Sequence, residues 1–171
     1  MVTPNTMINK KAQLELSFGM IFSIILIIIF ISFAFYAIQT FIGVQNSVQV
    51  GKFASDFQND IDNIWKGSQG LQKKEYFLPK KINFVCFADY SSEGRGENRN
   101  FYGELEFVYY ENENLFFYPV GSAEGLSAKE MKHIDLTKTT ETENPLCVKN
   151  VRGKISFTIQ KDFNEALVTI T

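Results

Sequence analysis

A chain of 171 residues has room for one membrane helix and one modest domain, and not for several domains. A net charge of −2 and a sequence pI near 5.5 lack the basic footprint of a nucleic-acid binder, so no nucleic-acid partner is expected. Two distant cysteines, Cys86 and Cys147, and a single histidine, His133, fall short of the three or four ligands that a zinc site needs.

Residues 1–12, MVTPNTMINKKA, are short and polar and predict no folded element. Phe18 to Ile38 is a 21-residue run without charge or proline, dominated by Ile and Phe. As a helix it spans roughly 31 Å, close to the ~30 Å hydrocarbon core of a bilayer. Backbone in hydrocarbon must satisfy its own hydrogen bonds, so the run is expected to be a transmembrane helix embedded in lipid. Lys10 and Lys11 precede it and the next cation is Lys52, which places the N-terminus in the cytoplasm and everything after Ile38 outside it. The only small-x-small cleavage candidate, Ser32-Phe33-Ala34, lies inside the apolar run, so cleavage on its far side is not expected.

The stretch Lys10-Lys11-Ala12-Gln13, followed shortly by the apolar run, resembles the end of an archaeal type IV prepilin leader, the class III signal peptide. The resemblance covers the architecture of about the first 65 residues, and four of them as a motif. It implies that a prepilin peptidase removes residues 1–12 and cuts before Gln13. It also implies that the apolar helix then packs with copies of itself in a filament core. The chain departs from the family at the fifth residue after that cut, where pilins carry a glutamate and this sequence has Ser17. The nearby acid is Glu15, for which two roles stand open: pairing inside an assembly, or supporting a helix N-terminus at the headgroup interface.

Beyond Ile38 nothing stops the helix. Gly43 and Gly51 each cost about 1 kcal/mol relative to Ala but do not forbid it, and no proline occurs before Pro79. Val50, Phe53, Phe57, Ile61 and Ile64 step by three and four to make one apolar stripe, with Lys52, Asp56, Asn59, Asp60 and Asp62 mostly on the other faces as a solvated surface. Gly67-Ser68-Gln69-Gly70 ends the element. The reading is one helix over 13–66, transmembrane over 18–38 and amphipathic over 44–66, whose second stripe needs a partner.

The partner is expected from a β-rich extracytoplasmic domain over 67–171. Strands are predicted at Lys81–Tyr90, Phe101–Tyr110, Leu115–Tyr118, His133–Leu136, Lys154–Gln160 and Ala166–Thr171, with a helical turn near Ser127–Lys132. Ser91–Asn100 and Thr137–Asn144 read as polar loops. The fold class is therefore α+β: a long N-terminal membrane-spanning helix whose C-terminal half packs on a small antiparallel sheet, as in pilins. Cys86 and Cys147 are either a disulfide outside the membrane or two buried thiols. His133 reads as a surface or strand-edge residue.

No nucleophile elbow, HExxH, phosphate loop or dinucleotide fingerprint is present, so neither an enzyme nor a cofactor is expected. The expected function is that of a pilin-like surface protein, a structural or minor component of a type IV pilus-like assembly. Assembly would run through the N-terminal helix, with Glu15 and the run Phe18–Ile38 as its contact surface. The alternative is an uncleaved single-pass protein whose exported domain binds a ligand or another envelope protein.

Overall fold

The computed structural model describes residues 18–171, so Lys10, Lys11, Ala12, Gln13 and Glu15 lie outside the described residues. The protein is α+β: a long apolar N-terminal helix and a small antiparallel sheet domain. Helix α1 runs Phe18–Trp65, 48 residues and so about 72 Å. It closes with Lys66 N–H bonding Asp62 O at 3.1 Å and Gly67 N–H bonding Ile64 O at 3.1 Å, within a residue of the predicted end. Two compact units divide the chain between Phe41 and Ile42. The second unit thus takes in the C-terminal half of α1 as well as the sheets, rather than beginning at residue 67.

In the first unit the helix is apolar on every face and its side chains are exposed. Its aliphatic hydroxyls are satisfied within the helix. Ser23 and Ser32 donate to the carbonyls of Gly19 and Ile28 at 2.8 Å, and Thr40 donates to that of Tyr36 at 3.0 Å. The segment is long and apolar enough to cross a membrane.

The second unit has seven strands in two sheets instead of a single sheet of five or six. Sheet A is ordered β1(Gly70–Phe77)-β6(Lys154–Lys161)-β7(Thr169–Ile170), and sheet B β4(Ala128–Lys129)-β3(Leu115–Tyr118)-β2(Phe84–Phe87)-β5(Leu146–Lys149), all antiparallel. The stripe of α1 packs against both. Phe57 lies 4.9 Å from Phe157 of sheet A and 5.9 Å from Phe87 of sheet B, centroid to centroid, and Phe53 lies 5.9 Å from Phe117. Val50, Phe53, Phe57 and Ile61 are buried in this core, and Ile64 is half-buried at its edge. Sheet B is covered on its other face too, where Cys86 and Phe116 lie under Leu105 of helix α2 (Arg99–Glu106). Burial on both faces is why FVCF and LFFY are almost wholly apolar.

Several segments differ from the sequence expectation. β1 was not expected, because Gln72, Lys73, Lys74 and Glu75 hide its alternation; β6 supplies the apolar residues opposite it in Ile155, Phe157 and Ile159. Phe101–Tyr110 is not a strand: Phe101, Leu105 and Val108 follow helical spacing and α2 occupies 99–106. Ser127–Lys132 holds the short edge strand β4 in place of a helical turn. His133 has φ 66°, which breaks the strand predicted over 133–136, and leaves Ile134 only a single bridge to Val168. Asp135 then caps helix α3 (Leu136–Thr139), its carboxylate accepting from Lys138 N–H at 3.0 Å. The last strand shrinks from 166–171 to Thr169–Ile170.

Candidate assembly helix and distal loops

Two regions are available for function: the uncovered helix of the first unit, and the loops at one end of sheet B. On the helix, Phe18 is 84 % exposed and Ile38 55 % exposed, and the large apolar residues between them are exposed as well. An apolar face left open to this extent requires lipid or other protein to cover it.

The loops begin where β2 ends. Cys86 on β2 and Cys147 on β5 are direct cross-strand partners, with Cα atoms 4.0 Å apart, and they form a disulfide. Just past it Asn144 is fully buried. Its Oδ1 accepts from Asp89 N–H at 3.0 Å and its Nδ2 donates to Asp89 O at 2.7 Å. Arg95 and Asn144 exchange both backbone hydrogen bonds, while the Arg95 guanidinium donates to the carbonyls of Thr140 and Glu141 at 2.8 and 3.0 Å. The loops predicted over 91–100 and 137–144 are therefore stitched into one body, and each also contains helical residues.

Two glycines make the stitch possible. A Cβ on Gly94 would meet Tyr102 Cγ at 2.9 Å. On Gly96, which has φ 82°, it would meet Glu143 Cγ at 2.8 Å. Between the Tyr90–Glu93 segment and α2 lies an open recess of about 520 Å³, with Glu93 and Arg99 on its rim. Burial pushes the Tyr90 phenol well above its ordinary range, with the hydroxyls and carboxylates around it adding to the shift, so it acts here only as a neutral donor to Tyr102 O at 3.1 Å.

His133 is not a free surface residue. Its ring stacks on Trp65 at 3.6 Å with planes 2° apart, and its Nδ1 lies 3.0 Å from Asp62 Oδ1. Trp65 Nε1 donates to Ala166 O at 3.0 Å, and Gln58 donates to Asp62 while exchanging hydrogen bonds with the Lys132 backbone. Asp60 is held likewise, accepting from the Tyr76 hydroxyl at 2.7 Å and pairing with Lys74 at 3.0 Å. Two of the aspartates expected on a solvated face thus bind the end of α1 to the sheet domain. Sequence spacing carries no signal for this, since the partners lie up to 71 residues away.

Among the described residues no group of three His, Cys, Asp or Glu side chains is placed to hold a metal ion. The chain matches no protein-family model, no curated protein and no solved structure.

Proposed function

We propose that the protein is a pilin-like surface subunit. It is held in the membrane as a precursor by Phe18–Ile38, cut before Gln13 by a prepilin peptidase, and assembled with copies of itself or other pilin-like subunits. The observation that carries this reading is the division of α1. One half is apolar all round and uncovered; the other is buried as the spine of a disulfide-bonded domain. A lone anchor needs only the first feature. A subunit that packs by its helix and presents an outer domain needs both.

The alternative, an uncleaved single-pass protein with an exported binding domain, draws on the recess beside Tyr90 and Arg99. Intact mass of the protein from its native membrane separates the two. A chain beginning at Gln13 is the expected result; a chain retaining Met1–Ala12 in cells with an active prepilin peptidase favours the anchor.

A further inference from the structure

Charge is sorted by end in the second unit, and the topology says which end is which. Sheet strand β1 returns antiparallel to α1. Gly70 sits against Ile64, whereas Phe77 shares a groove with Gln49, Lys52 and Phe53. The chain from Leu78 onward therefore lies beside the start of the unit's helix. A Cβ on Gly43 would be 3.5 Å from Glu124 Oε2, and Glu124 pairs with Lys81.

Two loops meet here. Leu78 N–H bonds Gly153 O at 2.9 Å, Asn150 N–H bonds Asn83 O at 2.8 Å, and Asn150 Nδ2 donates to the carbonyls of Pro79 and Ile82 at 3.0 and 2.7 Å. The surface they form exposes Lys80, Lys81, Lys149, Arg152 and Lys154, together with the apolar side chains of Phe77 and Val151. Glu124 takes Lys81 and Glu75 takes Lys154. Lys80, Lys149 and Arg152 make no ion pair among the described residues. The opposite end of sheet B carries Glu93, Glu97, Glu111, Glu113, Glu141 and Glu143, with Arg95 turned inward on carbonyls and Arg99 exposed beside Glu93.

We propose that the basic loop pair 78–83 and 149–154 docks on anionic phospholipid headgroups of the membrane that holds the precursor. Its position is the reason for choosing lipid over a second copy of the chain. The Glu124–Lys81 pair of the first loop sits beside Gly43, the second loop is bonded to the first, and the apolar run ends five residues before Gly43, at Ile38. Cations next to an anionic leaflet are drawn to it, flanking apolar side chains enter the headgroup boundary, and the attraction is screened by salt. Docking would orient the domain and hold it at the membrane, with the acidic end facing away. The inference rests on Phe18–Ile38 spanning a membrane, and not on filament assembly.

The test uses the full chain in vesicles of phosphatidylcholine alone, or of phosphatidylcholine with phosphatidylglycerol, read by amide hydrogen exchange. Amides of 80–83 and 151–153 are expected to exchange about tenfold more slowly in the anionic vesicles and to recover in high salt. Those of 91–98 should not change. Lys80→Glu with Arg152→Glu should abolish the difference while the core amides of β2 and β6 stay protected. Equal exchange in both lipids by an inserted chain overturns the inference alone, as does protection that ignores lipid charge and grows with protein concentration, which would mark contact between copies. Extraction of the chain from the vesicles by alkaline carbonate overturns the membrane-spanning reading along with it.

Discussion

At the scale of single residues, the second unit is held by polar groups that its sequence leaves unmarked. Asn144 is one: fully buried, it bonds both the N–H and the carbonyl of Asp89. Asn144→Ala orphans the N–H and leaves the carbonyl with only its long bonds from Ser92, and should cost about 1–3 kcal/mol in chemical denaturation of the disulfide-intact protein. A loss under a few tenths would mean that the two loops hold without it.

Asp62 is another. Burial works to raise its pKa, but hydrogen bonds from His133 and Gln58, with the charges of His133 and Lys66 behind them, outweigh it and hold the carboxyl below its ordinary value. A depressed carboxyl stabilises the fold above its unfolded pKa, and this contribution disappears as pH falls through the lower folded pKa. Asp62→Asn should therefore lower stability near neutrality and flatten its decline below about pH 4. Parallel pH curves for the two proteins would contradict the pairing. Trp65, the sole tryptophan, stacks on the sole histidine and reports on the same junction by fluorescence.

At the scale of elements, α1 organises the domain through one stripe. Phe57 is fully buried between both sheets, and Phe57→Ala should cost about 3–5 kcal/mol. A change below 1 kcal/mol would show that the helix merely lies on the sheets. The stripe was legible because a three-four spacing of Val50, Phe53, Phe57 and Ile61 has a single geometric meaning. β6 was legible for the same reason, with Ile155, Phe157 and Ile159 alternating against polar residues.

What failed had a physical cause in each case. β1 is an edge strand whose outward and inward residues are both largely polar, so periodicity is silent there. α2 is aromatic-rich, and composition pointed to a strand while its spacing pointed to a helix. The disulfide was one of two open readings, because the register that sets Cys86 opposite Cys147 depends on strand pairing across 61 residues. That bond should add about 2–4 kcal/mol by restricting the unfolded chain. The Trp65–His133–Asp62 junction and the Arg95–Asn144 stitch join distant segments and leave no local pattern.

At the scale of the whole molecule, one continuous helix carries two incompatible surfaces. The half within the second unit is covered by two sheets, and the side chains of the half before it are exposed among the described residues. In lipid the uncovered half can stand as a single span, and the hydroxyls of Ser23, Ser32 and Thr40 are satisfied by the helix's own carbonyls. Outside lipid that surface needs protein to cover it, and the proposal of a pilin-like subunit assigns that role to other copies of the helix. A heterologous, repeating contact among identical helices produces an open assembly with no fixed copy number when its rotation does not close into a ring, and the proposal takes the open case.

The measurement that tests this most directly is crosslinking in the native cell between single cysteines placed on the helix, with Phe33→Cys as the first choice because its side chain is exposed and lies within the apolar run. Cys86 and Cys147 are already bonded to one another and do not interfere. The account predicts a ladder of crosslinked species extending past the dimer, in material sheared from the cell surface. A chain that stays monomeric, or stops at a dimer and remains wholly in the membrane fraction, would contradict it.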